Sequence, residues 1–274
     1  MIERGALLLS AQDELKDPQA IDRRAFLKGT AAVGATLALS RAGLARTVQP
    51  DVQQLNVALI GAGEQGRVLI DAALRIPGVR FRAVCDIWSY SKRYARRLLK
   101  KYGHIVNVYE DYRELLAGEE DLDAVLVASP DWMHAEQTIA CLEAGLHVYC
   151  EKEMSNSIEK ARQMVMAARR TGRLLQIGHQ RRSNPRYIHA IDRLIHEENL
   201  LGRVTHAYAQ WNRSKSDDLG WPKKYVIDQP TLESYGYGSM SQFRNWRWYR
   251  KYGGGPMVDL GSHQVDLYSW VFGV

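Results

Sequence analysis

The sequence predicts an α/β fold whose N-terminal part is a doubly wound parallel sheet. Three observations predict it. First, the apolar run Val57-Ala58-Leu59-Ile60 leads into Gly61-Ala62-Gly63-Glu64-Gln65-Gly66, followed by helically spaced apolar residues Val68, Leu69, Ala72, Ala73 and Leu74. Second, apolar runs of strand length then alternate with helical stretches as far as Gly178. Third, a run such as Asp123–Ala128 is continuously apolar after its first residue, as a strand covered on both faces must be.

In order, Val57–Ile60 reads as the first strand and the glycine-rich turn as the approach to the first helix. Gly61 permits the tight turn, Gly63 lets a pyrophosphate reach the backbone, and Gly66 lets helix and strand pack closely. An anion then meets free N–H groups at a helix N-terminus. Phe81–Asp86 is the second strand, and Asp86 lies about twenty residues beyond the last glycine. A carboxylate there accepts from a ribose hydroxyl and repels a 2′-phosphate, which favours NAD over NADP; Lys92 and Arg93 can moderate that preference, and a plain helix-capping or turn role for Asp86 is the alternative. A helix over Ser91–Tyr102, a short pairing at Val108 and a small helix over Tyr112–Leu116 come next. The strand Asp123–Ala128, the helix Trp132–Ala144 and the strand His147–Cys150 follow, then the helix Ile158–Arg170 and the strand Leu174–Gly178. Gly145 and Gly172 stand where helices end. Ligands gather at the carboxyl ends of such strands, so Gln180 and Arg181, just after the last one, are candidate substrate contacts.

Beyond this half, Gly202–Trp211 reads as a long strand. A loop rich in tryptophan, tyrosine, glycine and basic residues follows, including Trp221-Pro222 and Asn245–Trp248. Its aromatic faces, Trp221 among them, suit sugar rings; the alternative is a loop that packs its own aromatics over the core. Gly253-Gly254-Gly255 then runs into a helix from about Met257 to Phe272. Asp259 and His263 are four residues apart and share a helix face, where a carboxylate can steady an imidazole that handles a proton; an ordinary surface pair has the same spacing.

The 274 residues carry a net charge of +6, with 46% hydrophobic and 25% charged residues, enough to bury a real core. The basic residues are scattered among acids, and no nucleic-acid-binding signature accompanies them. Three cysteines, Cys85, Cys141 and Cys150, fall in strand-like or helical runs and read as buried thiols; no spacing resembles a metal site. Asp22-Arg23-Arg24-Ala25-Phe26-Leu27-Lys28, the mild apolar run Gly29–Ser40 and Gly43-Leu44-Ala45 resemble a twin-arginine export signal. A disordered or amphipathic extension is the alternative. The run is too short to span a membrane. The expected organisation is therefore a leader over residues 1–45, a nucleotide-binding domain over 54–178 and a second α/β region over 179–274.

Taken together, these motifs resemble the glucose–fructose oxidoreductase/inositol dehydrogenase (Gfo/Idh/MocA) superfamily. The resemblance rests on Val57–Gly66, on Asp86, on Ala128-Ser129-Pro130-Asp131-Trp132-Met133-His134, on Glu151-Lys152-Glu153 and on Asp259-x-x-x-His263, and it runs from about Asn56 onwards. It implies a Rossmann domain followed by an α/β domain with an open, mostly antiparallel sheet. One strand and one helix cannot make that sheet, so a truncated second domain is expected. By position, Lys152 would lie near the nicotinamide and the substrate hydroxyl, Asp259 would place substrate or imidazole, and His263 would accept the proton. Ser129, Pro130, His134 and Glu151 would line the cofactor. Glu153 stands where the family usually has proline, often in a cis bond. Because a non-proline cis bond costs about 3 kcal/mol, Glu153 is expected to be trans or held under strain, and Lys152 could otherwise be a surface lysine.

The leading expectation is an exported, NAD-dependent oxidoreductase acting on a sugar or polyol, with His263 as base and Lys152 stabilising charge on oxygen. Two alternatives are an NAD-dependent glycosidase that uses redox transiently and keeps its cofactor, and a non-catalytic nucleotide- or sugar-binding protein. The expected partner is a small sugar-like molecule, with no nucleic acid and no stable membrane span. A homo-oligomer is compatible with the sequence, which does not set the oligomeric state.

Overall fold

The computed structural model describes residues 54–212 and 218–273, and the leader proposed over residues 1–45 lies outside them. Six strands form one sheet: β1 (Leu55–Ile60), β2 (Val79–Cys85), β3 (Asn107–Tyr109), β4 (Ala124–Val127), β5 (His147–Cys150) and β6 (Leu175–Ile177). All pairs are parallel, in the order β3-β2-β1-β4-β5-β6. From β1 the chain builds outward to β3, then returns to start β4 on the other side of β1. The crevice between the carboxyl ends of β1 and β4 is the switch point where α/β sheets hold their ligands.

The connecting helices are α1 (Glu64–Ala73), α2 (Ser89–Lys101), α3 (Tyr112–Gly118), α4 (Asp131–Glu143) and α5 (Ile158–Thr171). They cover both faces, and β1 shows why its run is continuously apolar. Ala58 and Ile60 point into one core with Val125, Val127 and Val148, covered by Leu115 of α3, Cys141 and Leu142 of α4, and Met164 of α5. Val57 and Leu59 point into the other, with Phe81 and Val84, covered by Ile70 of α1 and Ala95 and Leu99 of α2. This is the two-residue alternation of a strand with apolar side chains on both sides. Asp111 caps α3 by accepting from the Arg113 N–H, and Ser157 caps α5 by accepting from the Lys160 N–H. The three cysteines are free and buried.

Beyond β6 the architecture departs from expectation. A 3₁₀ turn (Gln180–Ser183) leads to α6 (Pro185–Ile188), which runs on as a π-helical stretch, His189–Glu197. Residues 202–212 are irregular, and no strand follows Ile177 among the described residues, so neither the strand expected over Gly202–Trp211 nor an antiparallel sheet is present there. A strand is held by hydrogen bonds to a neighbour, and these residues have none to pair with.

The aromatic loop also behaves otherwise than a sugar platform. It forms α7 (Gln229–Ser234) and α8 (Met240–Arg244) and folds its rings into a third core, in which Leu232, Tyr237, Met240 and Tyr252 pack on Trp88, with Trp132, Trp221 and Trp246 alongside. Trp88 Nε1 donates to the Tyr225 carbonyl oxygen at 2.6 Å, which ties this core to the end of β2. The last elements are a π-helical turn, Met257–Gly261, and α9 (Ser262–Phe272).

Candidate active site

The nucleotide end of the site lies where β1 runs into α1. Gly61 has φ +91°, and a Cβ there would stand 2.5 Å from the backbone N of Ser129. At Gly66 a Cβ would stand 2.0 Å from the Gly61 carbonyl oxygen, so only glycine lets α1 sit this close. Gly63 differs: nothing lies within 4 Å of where its Cβ would be, and no side chain caps α1 behind it. Unclaimed N–H groups beside an open glycine make a cradle for a pyrophosphate. Asp86, directly after β2, accepts from the Ala62 N–H at 2.8 Å through Oδ2 and from the Trp88 N–H at 2.7 Å through Oδ1. Burial pushes its carboxyl up, and those two N–H bonds oppose the shift. Lys92 is taken by Glu110 at 2.8 Å, so it does not offset Asp86 by offering its charge to a ribose phosphate. These groups fit a dinucleotide.

A part-buried network then joins the ends of four strands. Glu151, after β5, accepts from Gln65 of the glycine-rich turn at 2.8 Å and from Gln180 after β6 at 2.9 Å. Gln180, a candidate substrate contact by sequence, therefore spends its amide on Glu151. Pro130 opens α4 as its N-cap, and Ser129 beside it donates to Gln137 at 2.5 Å. His134 has no exposed surface, and its two ring nitrogens face the carbonyl oxygens of Ser129 and Glu153. Burial alone would lower its pKa, but the Cys150 thiol and these two acceptors raise it to about 9. It clasps the turn after β4 to that after β5, and presents no ring face to a cofactor. The Lys152–Glu153 peptide between them is cis, not trans as expected for a non-proline residue. Contacts on both sides hold this backbone: His134 takes the Glu153 carbonyl, and Lys152 Nζ donates to the Asp259 carbonyl.

At the chemical end, Lys152 Nζ also lies 3.6 Å from Asp259 Oδ1, and Arg247 Nε donates to the same oxygen at 3.1 Å. Asp259 thus joins two cations and does not hold the imidazole of His263. A charged donor outcompetes a neutral ring for a carboxylate. His263 instead stacks on Trp211, with ring centroids 5.7 Å apart, and its Nδ1 is buried without a hydrogen-bond partner. Burial, with the positive fields of Lys152, Arg181 and His179, pushes its pKa down to about 4 against the pull of Asp266. The ring is a neutral base at physiological pH. It opens on a cavity of about 360 Å³ also lined by Arg181, Tyr187, Trp211, Asn212 and Gln264.

The structure therefore gathers Lys152, Asp259, Glu151 and Gln180 at the carboxyl ends of β5 and β6, and places His263 with Arg181 on the cavity. Trp221 lies elsewhere, packed in the aromatic core. Replacing Trp221 with alanine is expected to cost about 2 kcal/mol of stability in a denaturant melt and leave KM for sugars unchanged.

Two groups were not legible in sequence. Burial pushes the carboxyl of Asp131, in the first turn of α4, up to about 7 against the pull of Arg247 and Lys152, with Glu153 and Asp259 adding to the rise. Arg182 Nε holds Asp266 at 2.7 Å, and His179 Nδ1 stands 3.8 Å from that carboxylate. Asp131 reads as a helix-start acid; in the other set Arg182 and Asp266 are 84 residues apart and give no local signal. Among the described residues no group of three or more His, Cys, Asp or Glu is placed to hold a metal ion, and no helix is long and apolar enough to cross a membrane.

Comparisons with known proteins bear on the family. Residues 55–179 match the "oxidoreductase family, NAD-binding Rossmann fold" of GFO/IDH/MocA, and residues 188–274 match the GFO/IDH/MocA C-terminal domain. The chain is 37% identical to 4-carboxy-2-hydroxymuconate-6-semialdehyde dehydrogenase of Sphingobium sp. over 172 residues, 63% of this chain and 53% of that protein. It is 31% identical to D-glucoside 3-dehydrogenase of Escherichia coli over 220 residues, 80% of this chain and 54% of that one. An oxidoreductase domain protein from Kribbella flavida superposes with a TM-score of 0.62 at 26% identity, over 81% of this chain and 54% of the other. The chain thus spans about half the length of these relatives. With the glycine cradle, Asp86, Lys152 and His263 in one site and both family domains matched in order, the chain belongs to the Gfo/Idh/MocA family of NAD-binding oxidoreductases.

Proposed function

We propose that this chain carries the site of an NAD-dependent oxidoreductase that moves a hydride between nicotinamide and a carbinol carbon of a sugar or polyol. The observation that carries this reading is a neutral imidazole and a lysine at the same sheet ends as the glycine cradle. NAD, when bound, supplies the hydride acceptor. His263 takes the hydroxyl proton as the C–H bond is broken. Lys152, held by the Asp259 carbonyl and carboxylate, faces the oxygen on which negative charge grows. Asp259 and Arg247 fix the lysine's aim. NADH formation, followed by absorbance over a panel of hexoses, inositols and glycosides, tests this. Lys152→Ala is expected to lower kcat by about 100-fold on whichever substrate turns over. Unchanged kcat would remove the lysine from the mechanism, and NAD binding with no turnover on any substrate would favour a non-catalytic binding protein.

The arginine pair Arg23-Arg24 supports export of a folded, cofactor-loaded protein to an extracytoplasmic compartment. Cofactor recycling is poor there, which motivates a second reading on the same residues, a glycosidase that uses redox transiently. Aglycone release from a chromogenic glycoside without net NADH would select that reading.

A further inference from the structure

The cavity beside His263 contains a charge that the proposed reaction does not use. Arg181 follows β6 on a 3₁₀ turn and lines the cavity. Its guanidinium is held by ring faces alone, 5.4 Å from the centroid of Trp211 and 5.9 Å from that of Tyr187. Among the described residues no carboxylate or carbonyl accepts from it. The next arginine shows the contrast: Arg182 is bound to Asp266 at 2.7 Å through Nε, and to the Asp266 carbonyl at 3.2 Å. Among the described residues no Asp or Glu lines the cavity, whose remaining polar side chains are amides and aromatic or imidazole groups. Two rings thus hold a guanidinium in place and leave its five N–H donors to whatever enters.

We infer that Arg181 is a specificity-determining residue for a substrate bearing a carboxylate, so that the sugar oxidised here is an acidic one of the uronate type. This rests on the dehydrogenase reading above and names its substrate class. A guanidinium presents a planar fork that matches a carboxylate with two parallel hydrogen bonds. Phosphate would engage the same fork, but it carries close to two negative charges. Among the described residues Arg181 is the only permanently charged side chain lining the cavity, because His263 is neutral there. One charge balances one carboxylate. Asn212 and Gln264, which also line the cavity, can take the remaining ring hydroxyls.

Turnover and binding are compared for matched pairs on the NAD-loaded protein: D-glucose with D-glucuronate, D-galactose with D-galacturonate, and methyl β-D-glucoside with methyl β-D-glucuronide. D-Glucose 6-phosphate is the phosphate arm. The acid of at least one pair is expected to have the higher kcat/KM, and to be the tighter ligand by calorimetry. Arg181→Gln should reduce the acid-to-neutral ratio by about 10- to 100-fold, and Arg181→Lys, which keeps the charge but loses the fork, should recover only part of it. Binding of an acid that depends on Arg181 without NADH formation would support the carboxylate site and overturn the dehydrogenase reading. Turnover of neutral sugars with no preference for their acids, or a ratio unchanged in Arg181→Gln, would overturn the carboxylate site and leave the dehydrogenase standing. Preference for glucose 6-phosphate over every carboxylate, or no binding of any acid, would also overturn it.

Discussion

Replacing His263 with alanine is expected to lower kcat for sugar oxidation by about 10²- to 10⁴-fold while NADH still binds, as followed by its fluorescence. The size of the effect follows from the position of the ring. Its Nδ1 is buried with no partner, its neighbours Lys152 and Arg181 are positive, and the carboxylate four residues earlier is committed to Lys152 and Arg247. Each factor disfavours the imidazolium, so the folded-state pKa is held down to about 4, below the ordinary histidine value near 6.5. The acid limb of kcat/KM, which reports the free enzyme, should therefore lie near 4, with activity flat with respect to this group at neutral pH. The stability consequence has the matching sign. A depressed histidine binds its proton more readily in the unfolded chain, so this residue costs stability as pH falls from about 6.5 towards 4. Full turnover in His263→Ala would remove His263 as the base, and an acid limb at the ordinary histidine value that the variant abolishes would keep the base but overturn its depressed pKa.

What could be read from the chain alone divides at Gly178. Before it, each strand and helix carries its own periodic signal, and the glycine-rich turn fixes where the first crossover begins; the six parallel strands follow from patterns only a few residues long. Beyond it the deciding interactions are distant. Residues 202–211 read as a strand, but a strand exists only against a neighbour, which no local pattern supplies. The tryptophans of the aromatic loop carry the same composition whether they face a sugar or a core, and contact with Trp88, more than 130 residues earlier, decided the second. The same holds inside the site. Gln180 and His134 sit at the expected positions along the chain, but Glu151 and two backbone carbonyls had claims on them that sequence spacing does not express. Asp259 and His263 keep their four-residue spacing and nevertheless face different partners, because Lys152, 107 residues away, competes for the carboxylate.

The glycine-rich turn permits a sharper test, because its second and third glycines are constrained for opposite reasons. Gly66→Ala would place a Cβ 2.0 Å from the Gly61 carbonyl oxygen, well inside van der Waals contact with backbone that cannot swing aside. The helix α1 has to move off β1, and with it Ile70 and Ala73 leave the core they share with Val57 and Leu59. A loss of about 3 kcal/mol is expected, a large part of the stability of an ordinary domain, together with loss of NAD binding. Gly63→Ala should do the reverse. Its φ of −67° suits any residue, and nothing lies within 4 Å of the added methyl, so the thermal midpoint should stay near that of the parent protein. The methyl would, however, occupy the space through which a pyrophosphate reaches the N-terminus of α1, and NAD affinity should fall by about 10- to 100-fold. Calorimetric titration with NAD and a thermal melt on the two variants separate the effects. If Gly63→Ala binds NAD like the parent, the pyrophosphate does not cross that glycine. If Gly66→Ala melts like the parent, the close approach of helix and turn is not what the glycine is for.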